Sequence, residues 1–243
     1  MLLVASKFIR QFEITHNMKF NTLTRSLFLG AALSTSSLFA NQVWIENTDN
    51  DGNLSGGEFI AHTDTGSSFL TFCLEHEVDV NANVWYDYTI SDSAISGGTN
   101  LHGAGPGDAI SKGTAWLFEQ FYFGTLVDTD GVGSYFDAGT HSGLTARDYN
   151  AGQLQNAFWM LEDEIAVDGS NYYLNLATTY FTGLGQDAFS DAGPGSRVKA
   201  MNLTVIATGA DAQSQLVFVP DSGMTVALLG LGLLSLAAFR RKL

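Results

Sequence analysis

One cysteine, three prolines and 11 basic residues are all that this 243-residue chain contains of those types. Each scarcity excludes something. With Cys73 alone there is no internal disulfide, so its thiol is free, paired between chains or chemically committed. Between Asn41 and Pro220, four basic residues (Lys112, Arg147, Arg197 and Lys199) stand against 23 acidic ones. The resulting charge of −19 excludes nucleic acid and anionic lipid surfaces as partners. It suits a secreted, solvated domain with weak affinity for divalent cations. Little proline, together with 12 % aromatic residues, excludes a disordered chain and supplies material for a core.

Charge is absent again at the end of the chain. Val219-Pro220-Asp221-Ser222-Gly223 precedes 16 uncharged residues, Met224 to Phe239, and then Arg240-Arg241-Lys242. Sixteen helical residues span about 24 Å, close to a hydrocarbon core of about 30 Å, and Arg240 can snorkel to extend the reach. The basic residues place that end on the cytoplasmic side. A buried helix of a soluble domain would need a polar face, for which the run offers only Thr225 and Ser235. The tail resembles the PEP-CTERM class of bacterial sorting signals in its Val-Pro-Asp-Ser-Gly (VPDSG-CTERM) form. That resemblance implies transit through the inner membrane, cleavage by an exosortase-type enzyme, and delivery to the cell surface or extracellular matrix.

The other end carries the matching export signal. Residues 1–17 read as an upstream extension, with translation beginning at Met18. Residues 18–40 read as a signal peptide: Lys19 and Arg25, an apolar stretch from Leu27 to Leu33, and Leu38-Phe39-Ala40 before Asn41. An extracytoplasmic domain over 41–218 and the sorting signal over 219–243, with its transmembrane helix at about 224–239, complete the organisation.

Within the domain, Phe59–His62 and Phe69–Glu75 read as strands joined at Asp64-Thr65-Gly66. Val84–Ile90 reads as a strand with Val84, Tyr86, Tyr88 and Ile90 on one face. Ile110–Phe123 reads as a helix stopped by Gly124, and Val127–Leu144 as a surface loop. A second helix, capped by Thr145 or Asp148, runs through Leu154, Phe158 and Ile165 to Asp168-Gly169. Glu162, Asp163 and Glu164 look like its solvated end. Tyr172–Phe181 reads as a short third helix, and Val198–Ala207 and Gln215–Val219 as closing strands. The expected fold is α+β: an antiparallel sheet, sandwich- or barrel-like, with two or three inserted helices and with first and last strands in one sheet.

Two short motifs carry candidate chemistry. Phe72-Cys73-Leu74-Glu75 places the cysteine on a strand, and Gln155-Asn156-Ala157-Phe158-Trp159 lies on a helix. Together they resemble the thioester domains of bacterial surface adhesins, over residues 57–165. The resemblance implies an internal thioester between Cys73 and Gln155, with Glu75 and Trp159 in support. Leu154 stands where that family has threonine, and Phe158 replaces a smaller aliphatic residue. Gln153 is a nearby competitor for the acyl role. The alternative is that Cys73 is a small buried hydrophobe and Trp159 ordinary core.

Asn47-Thr48-Asp49-Asn50-Asp51-Gly52 through Glu58 follows an EF-hand loop, with Asn47, Asp49, Asp51 and Glu58 as calcium ligands. No incoming helix precedes it, so a polar turn is the competing reading. No other cofactor is expected. A cysteine hydrolase built on Cys73 and His76 is disfavoured, because residues three apart on a strand face opposite ways. The chain is expected to be structural or adhesive rather than an enzyme, with an extracellular polysaccharide or a surface amine as its ligand. The alternative is a carbohydrate- or calcium-binding module that stacks sugars on Trp85 and Tyr86.

Overall fold

The computed structural model describes residues 41–49, 56–95, 107–137, 139–141 and 144–220. The expected signal peptide over 18–40, Asp51 and the expected transmembrane helix at about 224–239 lie outside the described residues. Among the described residues no helix is long and apolar enough to cross a membrane.

The fold is α+β. Six strands form one antiparallel sheet: β1 (Asn41–Asn47), β2 (Phe59–Thr63), β3 (Ser68–Thr71), β4 (Val84–Ser91), β9 (Val198–Val205) and β10 (Asp211–Phe218). Their order is β10-β9-β4-β1-β2-β3. Two-residue pairs, β5 (Ser93–Ala94) with β6 (Asp108–Ala109) and β7 (Thr140–His141) with β8 (Leu144–Thr145), lie in the connections. Three helices, α1 (Lys112–Tyr122), α2 (Ala146–Leu161) and α3 (Tyr172–Gly183), are inserted between β4 and β9.

The sheet curls until its two edges meet. Beyond Thr71 the chain leaves β2 and changes partner. Leu74 N donates to Ser214 O, and Leu216 N to Phe72 O, each at 2.9 Å. The third strand therefore does not run to Glu75 as one ladder: it pairs with β2 up to Thr71, and residues 72–74 pair with β10. Two cores result. Val43, Ile45, Ala61, Tyr86, Met201 and Leu203 pack within the sheet. Phe72, Leu74, Phe118, Phe121, Leu154 and Phe158 pack between the sheet and the helices. Phe72 meets Phe121 and Phe158 edge-on, with ring centroids 5.1 and 5.3 Å apart.

Each helix starts on a side-chain cap. Ser111 accepts from Thr114 N, Thr145 from Asp148 N and Asn171 from Leu174 N. Thr145, not Asp148, caps α2. Gly124 at φ 67 closes α1 in the left-handed region, where a side chain is strained. The Asp163 backbone turns left-handed too, at φ 59, and this ends α2 at Leu161, short of Ile165.

Several expectations are corrected. β1 was not expected; its inward Val43 and Ile45 alternate with Trp44, but the run is short and polar at both ends. On β4, Tyr86 is buried while Val84 and Ile90 at the strand ends are exposed. The buried Tyr86 hydroxyl donates to Asn81 O and accepts from Asn81 N, so Tyr86 offers no face to a sugar. Trp85 is exposed and packs edge-on against Trp44. Within the expected loop at 127–144, Tyr135 is fully buried. Glu162 and Glu164 are buried rather than solvated, because they accept backbone N–H groups from Ser111 and His76.

Candidate functional site

Cys73 and Gln155, 82 positions apart, meet in the buried seam between the sheet and α2. Cys73 N donates to Gln155 Oε1 at 3.0 Å, and Gln155 Nε2 donates to Cys73 O at 2.9 Å. Both residues are within 2 % of full burial. One edge of the 72–74 segment pairs with β10, and the Gln155 carboxamide completes the ladder on the other edge in place of a strand. Gln153 does not compete for this position. It is half-buried, and its backbone carbonyl accepts from Asn171 Nδ2.

Gln155 and Trp159 share one helix face because they are four residues apart. Trp159 is buried, with His76 edge-on at 4.7 Å. Gly56 lies flat against both: a Cβ there would sit 2.6 Å from Trp159 Cη2 and 3.1 Å from Gln155 Cγ. Only glycine fits that approach without displacing the ring.

Glu58 anchors this cover. Arg147 Nε donates to Glu58 Oε1 at 3.0 Å and Arg147 Nη2 to Oε2 at 2.6 Å. Tyr135 Oη donates to Oε1 at 2.7 Å. The Glu58 carboxylate is fully buried, and calcium in the 47–58 loop would have to displace Arg147 to use it. Among the described residues, no group of three or more His, Cys, Asp or Glu side chains is arranged to hold a metal ion.

On the sulfur side, the Glu75 carboxylate accepts from Ser214 N at 2.6 Å and Ser214 Oγ at 2.7 Å. Gln215 Nε2 reaches Cys73 Sγ at 3.5 Å. Burial pushes the Cys73 thiol up to about 12, against the hydrogen bond from Gln215. A resting thiol at neutral pH is therefore protonated.

Burial also lifts nearby carboxyls. Glu75 and Glu162 rise to about 7 and Asp108 to about 6, with further lifting of Glu75 by Glu164 and of Asp108 by Glu164 and Asp163. Groups that hold protons more tightly when folded stabilise the fold at low pH. That contribution fades as pH rises from their unfolded values to their folded ones. Thermal melting should therefore occur at a temperature higher by on the order of 5 °C at pH 5 than at pH 8. Glu75→Gln with Glu162→Gln should flatten the difference; a protein equally stable at both pH values, or more stable at pH 8, contradicts these shifts.

Cys73, Glu75, Gln155 and Trp159 thus come together, while Glu58 of the expected calcium loop is held by Arg147 and Tyr135 and Asp51 lies outside the described residues. Gly56, Arg147, Ser214 and Gln215 were not singled out from the sequence. The one available signal was Gln213-Ser214-Gln215, a polar run inside a strand buried on both faces.

No curated protein and no solved structure matches the chain, so the thioester-domain likeness rests on these residues alone. Residues 219–243 match the VPDSG-CTERM motif, and the chain accordingly carries the sorting tail of an exported protein in transit through a membrane.

Proposed function

We propose that this is a cell-surface or extracellular-matrix protein of structural or adhesive role, not an enzyme, whose grip is an internal thioester between Cys73 and Gln155. After export, an exosortase-type enzyme cleaves near Pro220-Asp221-Ser222-Gly223 and releases or attaches the domain. The observation that carries the covalent part is the two-hydrogen-bond clamp of the Gln155 carboxamide on Cys73, buried under Trp159 and Gly56.

The chemistry balances without a co-reactant. The Cys73 sulfur bonds to Gln155 Cδ, the Cδ–Nε2 bond breaks, and the thiol proton leaves on nitrogen as ammonia. Cys73 N–H already donates to Oε1, where charge gathers in the tetrahedral stage, so the carbonyl is polarised before attack. Holding both groups at one residue removes most of the entropic barrier. In the second step an amine on a partner surface bonds to Cδ, the C–S bond breaks, and a proton returns to sulfur. The product is an amide to Gln155, a bond whose lifetime does not depend on equilibrium affinity. Until then, acylation shields a lone thiol from oxidation.

Incubation with methylamine, followed by peptide mapping, tests this. The Gln155 peptide should acquire an N-methyl amide while a Cys73 thiol appears, and Cys73→Ala should take up no amine. A thiol already titratable before amine is added, with Gln155 unmodified afterwards, would refute the covalent grip.

A further inference from the structure

We infer that Gln215 is a positioning residue of the Cys73 site: its carboxamide N–H donates to the Cys73 sulfur and holds the charge that sulfur carries as it attacks or leaves Gln155. The role as described rests on the thioester reading, but the contact itself does not.

Cys73 and Gln215 face each other across an antiparallel bridge. The flanking hydrogen bonds run from Leu74 to Ser214 and from Leu216 to Phe72, so the pair is of the non-hydrogen-bonded kind, in which opposed side chains lie closest. A bulge in β10 between Ala212 and Gln215 sets this register. Such irregularities re-aim side chains. Both residues before Gln215 are pinned to Glu75: Ser214 N and Oγ donate to its carboxylate, and Gln213 Nε2 donates to its backbone carbonyl. These contacts fix the backbone that presents Gln215 to Cys73.

Its polarity is costly where it sits. Gln215 is fully buried, and its Oε1 has no hydrogen-bond partner among the described residues. Turning the amide over would place Oε1 against the S–H and strand Nε2 instead, so either way the carboxamide is addressed to the sulfur. A buried amide half of whose capacity is unmet destabilises the fold, and methionine would fill the space without that penalty. The geometry therefore asks for a task at the sulfur, and a donor to a charged sulfur is one.

The test uses Gln155→Ala, which has no carboxamide to acylate and leaves Cys73 a thiol. Its alkylation by iodoacetamide at pH 9 is compared with that of the same protein carrying Gln215→Met. Loss of the N–H donor should slow the reaction at least tenfold. A residue that only packed the strand would, when removed, loosen the site and speed alkylation. Gln215→Glu, which keeps the size but not the donor, should slow it at least as much and serves if the methionine variant does not fold. Unchanged or faster alkylation in the variants overturns the inference. Absence of ammonia loss from the unsubstituted protein sinks the thioester alone and leaves this result standing.

Discussion

Arg147→Ala is expected to cost about 3–5 kcal/mol of stability, the penalty of stranding a buried charge. Glu58 is fully buried, and two of its three side-chain hydrogen bonds come from Arg147. Without the guanidinium, the carboxylate keeps one partner, the Tyr135 hydroxyl. Arg147 also lies over the Phe136 ring, 5.0 Å from its centroid, so packing is lost as well. At about 2–4 °C per kcal/mol for a domain of this size, the melting temperature should fall by about 10 °C. Glu58→Gln in the same chain should recover part of the loss, since it removes the unpaired charge. A drop below about 1 kcal/mol, the range of an exposed ion pair, would show that the clamp does not hold the cover in place. The consequence reaches the site, because Glu58 fixes the segment whose Gly56 closes over Gln155 and Trp159.

What the sequence made legible was local. Helical spacing put Gln155 and Trp159 on one face, and a short β motif put Cys73 on a strand, so their meeting required only that strand and helix pack together. Hydrophobic periodicity likewise gave the three helices and five of the six strands of the main sheet. The unread parts depend on pairings remote in sequence. Cys73 and Gln215 are 142 positions apart, and Glu58 and Arg147 are 89 apart. No local pattern tells β3 to leave β2 after Thr71 and close on β10. Glu162 and Glu164 read as solvent-facing charges because carboxylates usually are; here the backbone N–H groups of Ser111 and His76 draw them inward. The EF-hand spacing over 47–58 was real as a pattern. In the fold, Glu58 answers to Arg147, a residue no loop motif contains.

The proposed Cys73–Gln155 thioester has the largest expected effect, because such a bond is all or none. Clamp, cover and sulfur contact are all arranged around the Gln155 carboxamide and Cys73. Burial of Cys73 does not by itself distinguish an acylated sulfur from an idle one. Mass does. The intact mass of the purified protein, taken after acid denaturation, should be lighter by one ammonia than its processed sequence requires. Cys73→Ala and Gln155→Ala should each restore the full mass expected for their sequences. Full mass in the unsubstituted protein, with one thiol titratable once it is unfolded, would contradict the thioester and leave Cys73 a buried structural cysteine.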